Sequence, residues 1–306
     1  MVAEDSAPSA GAGYPPRVVD DRGTRGWARG VAGTGLVGLL GKAYLSLEPL
    51  LDLTPLEAIH EEVCLALAQV PVAYTGGSHR SMQIMPAERA EEALADYGEV
   101  IASLDPAQRG RLASLADQPR EFLLRLAAGS EVGEERDLAL NHRQMLWLER
   151  RHRVYFPWKA YVEMVPNGRW GDKSDATGKR FTRTAQAHFP QTIAWVKSLP
   201  FRWIGRCNVM GLAPNDHGTV HRDVVPEEQV EPDHFITVCP AGDKRLFLWD
   251  RQRGTSHPVP GRAYWFNDAD DHGVEADPFF RYSIRIDGVF EPDFLDRLRA
   301  AATEDG

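Results

Sequence analysis

Beyond residue 200 the apolar side chains come in short bursts separated by polar turns. Six stretches, 206–214, 219–223, 234–239, 244–249, 262–266 and 281–286, are rich in β-branched or aromatic residues and are bounded by Gly, Pro, Asn or Asp, which is the pattern of short strands. Strands at such intervals predict an antiparallel sandwich or jelly roll. The stretch 156–165 reads as the first strand of the sheet. The polar, Gly-rich residues 166–180 are expected to form a mobile lid, with Trp170 as their only large apolar contact.

Between residues 45 and 150 the period changes. Leu56, Ile59, Val63 and Leu67 recur at helical spacing behind Thr54-Pro55-Leu56-Glu57, a capping box with Pro at the first helical position. Asp105-Pro106 opens another helix, which Pro119 divides or ends, and further helices are expected over 86–103 and 135–149. Residues 72–85, with Gly76-Gly77 inside, read as a hairpin carrying His79 and Arg80. The expected class is α+β. A flexible lead-in occupies 1–44, and a mainly helical region over 45–153 packs on or beside the core. A jelly-roll domain covers 154–290, and a helical tail 291–306.

Composition narrows the function classes. Of 306 residues, 43% are hydrophobic and 26% charged, the balance of a soluble globular protein. A formal net charge of −9 argues against a general nucleic-acid surface. Residues 31–51 are apolar in part but interrupted by Gly33, Gly35, Gly38, Gly41, Lys42 and Glu48, so neither a signal nor a membrane span is expected. The glycines at 33, 35 and 38 match a dinucleotide fingerprint in form only, because no strand pattern precedes them. Cys64, Cys207 and Cys239 lie far apart without C-x-x-C spacing. That disfavours structural zinc and a disulfide framework, and it suits a reducing, cytoplasmic setting.

The candidate chemistry begins at His221-Arg222-Asp223. Alternate side chains of a strand project to one face, so this step aims an imidazole and a carboxylate at the same point. A second imidazole, His272, follows the strand-rich stretch. Two His and one Asp occupy one face of an octahedral metal and leave the opposite face open. This is the facial triad of non-haem Fe(II) oxygenases, whose open positions take a co-substrate and dioxygen. Arg281, nine residues beyond His272, would supply a forked cation for a carboxylate of that co-substrate. Ser283 shares its strand face as a further hydrogen-bond donor, and Arg285, also on that face, reads as a structural salt bridge. His217, four residues before His221, either orients substrate or caps a turn.

Further features carry a family resemblance. Pro190-Gln-Thr192 opens a helix, Leu199-Pro200 and Gly205-Arg206 precede a strand, and Leu212-Ala-Pro214 turns ahead of the metal step. Gly261-Arg-Ala-Tyr-Trp-Phe-Asn267 leads to His272-Gly-Val274, and Phe280-Arg281 runs on to Ile286-Asp287. With these motifs, residues 190–290, about a third of the chain, resemble the aspartyl/asparaginyl β-hydroxylase branch of the Fe(II)/2-oxoglutarate dioxygenases. The resemblance implies a double-stranded β-helix, a cupin-like jelly roll, with His221, Asp223 and His272 on iron. It puts Arg281 on the distal carboxylate of 2-oxoglutarate and matches His234 to a family histidine beside that co-substrate. The branch often has an Arg two positions before that His, where this chain reads Pro232-Asp233-His234. Part of the co-substrate's binding is therefore expected from Asn208 or Arg206, which alternate on one strand face.

The implied reaction is hydroxylation of an unactivated C–H bond of an amino-acid-type substrate, free, peptide-borne or carrier-bound, with release of succinate and CO2. Asp223 completes the ligand set and leaves no vacant site for a halide. Two other classes fit the residues: a non-catalytic cupin-like protein that binds a metal or small molecule, and a zinc hydrolase, for which no general base can be identified.

Overall fold

The computed structural model describes residues 43–70, 72, 97–132, 137–168, 170–223, 233–250 and 253–304. The expected lead-in up to residue 42, the hairpin with His79 and Arg80, and the first part of the helix over 86–103 lie outside them.

Strand β1 (Tyr44–Ser46) precedes helices α1 (Leu56–Gln69), α2 (Tyr97–Ser103), α3 (Pro106–Ser114), α4 (Pro119–Ala127) and α5 (His142–His152). Leu56, Ile59 and Val63 are buried at the expected spacing. The Thr54 capping box does not form, however: the hydroxyl and N–H of Thr54 both donate to Asp52 Oδ1, at 2.6 and 3.0 Å. At α3 the expected start is observed, because Asp105 and Gln108 exchange side-chain and backbone hydrogen bonds around Pro106. Pro119 takes the first turn of α4. Helix α5 starts at His142 rather than near 135, where Asn141 and Gln144 form a second capping box.

Strand β2 (Ala160–Val165) and helices α6 (Arg183–His188) and α7 (Pro190–Val196) lead into the barrel. Its strands are β3 (Phe201–Leu212), β4 (Gly218–His221), β5 (His234–Val238), β6 (Leu246–Asp250), β7 (Thr255–Pro258), β8 (Ala263–Phe266), β9 (His272–Val274) and β10 (Arg281–Phe290), followed by α8 (Pro292–Glu304). The larger sheet has the order β1-β8-β5-β10-β3-β2 and the smaller β4-β9-β6-β7, all pairs antiparallel. From β3 to β10 successive strands alternate between the two sheets, except at the β6–β7 hairpin. That winding is a double-stranded β-helix, and the expected α+β class with a jelly-roll core is observed. Strand β7 is exposed throughout and β9 spans three residues, too little apolar pattern to predict either.

Both faces of the central strand β10 are buried. Its outer face presents Tyr282, Ile284 and Ile286 to the helices, with His60 Nδ1 of α1 3.0 Å from the Tyr282 hydroxyl. Glu62 of α1 ties the helices together. Its carboxylate accepts from the Gln191 and Thr192 N–H groups, each at 2.7 Å, and from the Thr192 hydroxyl at 2.6 Å. An anion thus satisfies the first turn of α7, whose N–H groups have no partners within the helix. Buried apolar residues of the helices and of both sheets form one continuous cluster.

Residues 166–180 differ from the mobile lid expected. Lys173 is buried, and its ammonium meets Asp233 Oδ2 at 2.5 Å and Asp268 Oδ2 at 3.5 Å, while Trp203 Nε1 donates to the Ser174 carbonyl at 2.8 Å. Gly205 permits this docking, since a Cβ there would lie 2.2 Å from the Lys173 carbonyl oxygen.

Candidate metal centre

Strands β4 and β9 are neighbours in the smaller sheet, and the register sets His221 directly opposite His272. Their ring centroids are 4.4 Å apart. His221 Nδ1 lies 2.7 Å from the Thr219 carbonyl oxygen, and His272 Nδ1 lies 2.9 Å from that of Asp270. A carbonyl only accepts, so each Nδ1 carries the proton and each Nε2 turns a lone pair inward. Asp223 Oδ1 stands 3.3 Å from His221 Nε2 and 3.7 Å from His272 Nε2. The three ligand atoms fall within 4.8 Å of one another, the one such metal-ligating group among the described residues.

Three lone-pair-bearing atoms facing one another at buried positions repel unless a cation lies between them. The donor set therefore fits a divalent transition metal. Burial, and then the neighbouring His221, hold the His272 imidazole down to about 4, so it stays neutral as a ligand must. Burial would raise the Asp223 carboxyl. The Arg285 guanidinium, 2.6 Å from Oδ2, outweighs it and keeps that carboxyl well below the usual carboxylate range.

The turn from β8 into β9, residues 267–271, fixes these ligands from behind. Its Asp268 carbonyl accepts the Asp223 N–H at 2.9 Å, its Asp270 carbonyl holds His272, and its Asp271 carboxylate takes Arg222 Nη2 at 3.0 Å. Asp268 Oδ2 also receives Arg285 Nη2 at 2.9 Å, while Arg285 Nη1 reaches Asp223 Oδ2 at 2.6 Å and Arg285 Nε reaches Asp287 Oδ1 at 3.0 Å. Arg206 Nε on β3 completes the row by donating to Asp287 Oδ2 at 2.9 Å. The salt-bridge reading of Arg285 agrees with this geometry. Asp268 gave no sequence signal, because an acidic run in a turn ordinarily points to solvent.

The ligands open onto a cavity of about 50 Å³ inside the barrel, also lined by Trp158, Thr237, Lys244, Tyr264 and Ser283. Ser283 faces this cavity as expected and accepts from Lys244 Nζ at 2.6 Å. Of the other expected co-substrate contacts, Arg281, His234 and Asn208 do not line it. Arg281 does not line the cavity: Nη1 donates to the Lys244 carbonyl at 2.8 Å and Nη2 to that of Glu275 at 2.6 Å. His234 projects from the opposite face of β5 to Thr237, stacks on Phe290 at 4.8 Å and accepts the Phe290 N–H through Nδ1. Asn208 is buried beside Arg285 but donates to the Tyr161 hydroxyl at 2.7 Å, away from the cavity. Arg206 does line it, with Nε committed to Asp287.

Sequence reasoning missed Lys244. Its signal was the alternation Lys244, Leu246, Leu248, which puts all three on one side of a strand. The ammonium lies 4.2 Å from the centre of the Trp158 ring, and burial above all pushes it down to about 7. Two further polar groups stand near it: Thr237 Oγ1 is buried with no hydrogen-bond partner, and the Tyr264 hydroxyl has only a long contact, 3.7 Å, to Cys239 Sγ.

No protein-family description matches this chain, and no curated protein does. Among solved structures it is similar to a 2OG-Fe(II) oxygenase family oxidoreductase from Burkholderia pseudomallei, at 11% identity over 42% of this chain and 64% of that one, TM-score 0.27. It is also similar to a prolyl hydroxylase from Trichoplax adhaerens, solved with a hypoxia inducible factor peptide fragment, at 13% identity over 46% and 64% of the two chains, TM-score 0.28. A Cupin 2 conserved barrel domain protein from Salinispora arenicola matches at 14% identity over 33% and 71%, TM-score 0.19. The chain thus spans about two thirds of the length of these structures, and identity and score are too low to assign it a family.

Proposed function

We propose that this protein is an Fe(II)- and 2-oxoglutarate-dependent dioxygenase that hydroxylates an unactivated C–H bond of an amino-acid-type substrate, free, peptide-borne or carrier-bound. The carrying observation is the convergence of His221 Nε2, His272 Nε2 and Asp223 Oδ1, each imidazole fixed in the ligating tautomer by a backbone carbonyl. Iron bound there supplies the chemistry that couples decarboxylation of 2-oxoglutarate, to succinate and CO2, to insertion of one oxygen atom from dioxygen.

The chain's own residues bind and orient. Lys244, with Ser283, Thr237 and Tyr264 beside it, takes the distal carboxylate in place of Arg281. Among the described residues the other cations near the ligands are committed to carboxylates, Arg206 to Asp287, Arg285 to Asp223, Asp268 and Asp287, and Lys173 to Asp233 and Asp268, whereas the Lys244 ammonium faces the cavity beside a hydroxyl.

The test is anaerobic titration with Fe(II) and 2-oxoglutarate, following the visible metal-to-ligand charge-transfer band. The wild type should develop the band and His221→Ala should not. Its absence from folded wild type would sink the oxygenase reading in favour of a metal-binding barrel or a hydrolase.

A further inference from the structure

We propose that Arg285 is a positioning residue that restricts Asp223 to one metal-binding oxygen, and so sets how many coordination positions stay open; this rests on the metal-dependent reading above. The two carboxylate oxygens of Asp223 face different partners. Oδ1 looks toward both Nε2 atoms, at 3.3 and 3.7 Å, whereas Oδ2 is held by Arg285 Nη1 at 2.6 Å. A carboxylate with both oxygens free can chelate a metal. On an octahedral ion, two imidazoles and one oxygen leave three positions, enough for a chelating oxo acid and dioxygen together. With both carboxylate oxygens bound, the oxo acid would fill the last two positions and dioxygen would have none.

A clamp of this kind must not swing, and Arg285 cannot. Its remaining nitrogens are held by Asp268 at 2.9 Å and Asp287 at 3.0 Å, and its guanidinium carbon lies 3.9 Å from the centre of the Phe235 ring. Those carboxylates are fixed in turn, Asp287 by Arg206 from the adjacent strand and Asp268 by Lys173. Asp268 also accepts the Asp223 N–H through its carbonyl. One turn thereby holds both the backbone of the ligand residue and the group that holds its side chain. A planar fork can serve three carboxylates in fixed directions at once, which the point charge of a lysine cannot.

That contrast supplies the test. The full chain is loaded with Co(II), and its visible d–d spectrum is recorded with the metal alone and during 2-oxoglutarate titration, for wild type, Arg285→Met and Arg285→Lys. In both variants the metal-only spectrum should shift. With 2-oxoglutarate bound, the wild type should still take azide as a small sixth ligand, seen as a further spectral change, and both variants should lose it, because the oxo acid fills their last two positions. If Arg285→Met does not fold, Arg285→Lys, which keeps a buried cation, decides the question. An Arg285→Lys protein with the wild-type spectrum and wild-type azide binding would overturn the proposal, since Arg285 would then only balance charge. A wild type that binds Co(II) but ignores 2-oxoglutarate overturns the oxygenase reading alone, and the metal-only spectra still judge Arg285. A wild type that binds no Co(II) overturns both.

Discussion

Arg281 and Arg285 lie four residues apart on the same inner face of β10, yet the two ends of that face are built for different work. At the Arg281 end the guanidinium meets carbonyl oxygens of Lys244 and Glu275, in the loops that close the barrel. At the Arg285 end it meets three carboxylates, one of them the candidate ligand Asp223. A cation facing carbonyls fastens loops, whereas a cation facing carboxylates carries the charge of a site. Residue type and strand face are the same at both positions, so the partners supplied by other strands decide the role.

The comparison breaks first on stability. Replacing Arg285 by Met leaves Asp223 without its cation and Asp268 and Asp287 each with one cation fewer, an expected loss of about 3–5 kcal/mol. Arg281→Met leaves neutral carbonyls unpaired and should cost about 1–3 kcal/mol. Urea unfolding of the two variants measures the difference. Equal losses would mean that the partners do not distinguish the two ends.

Co-substrate binding separates them next. Lys244→Met removes the charged hydrogen-bond donor from the cavity and should weaken 2-oxoglutarate by about 10–100-fold, the equivalent of roughly 1.5–3 kcal/mol. Arg281→Met leaves that donor in place and loosens only the Lys244 carbonyl, so it should weaken the affinity less, by about two- to fivefold, roughly 0.5–1 kcal/mol. The reverse ranking in a binding titration would return the anchoring role to Arg281.

The candidate metal ligands were more legible in the sequence than the group proposed to face the co-substrate, and the reason is geometric. His221-x-Asp223 is a period-two pattern that a single strand enforces, and His272 needs only one antiparallel register to meet it. The anchor depends on which of several cations points inward. On β10 both faces are buried, the outer one by Tyr282, Ile284 and Ile286 and the inner one by charged and polar groups, so no alternation of apolar and polar residues marks the inside. On β5 the same double burial hid that Thr237, and not His234, faces the cavity. The helical half was legible where local chemistry decided it, as at Asp105. It was misread at Thr54, whose hydroxyl turns back to Asp52 instead of capping α1.

The smallest expected effect is on pH dependence, and it sharpens the contrast between Lys244 and Arg281. Burial holds the Lys244 ammonium near 7, whereas a lysine in the unfolded chain keeps its proton to about 10.4. A dianion requires the charged form. Affinity for 2-oxoglutarate should therefore be level below pH 7 and fall by up to about tenfold per pH unit above it, until the raised value of the bound state is reached. The same depression acts on folding with the opposite sign. Between about pH 7 and 10 the unfolded chain binds a proton that the folded protein does not, so without co-substrate the stability should rise with pH relative to Lys244→Met. Saturating 2-oxoglutarate restores the charge and should flatten that rise. An arginine anchor stays protonated across the whole window, so a level affinity between pH 6 and 9 would point to Arg281 instead.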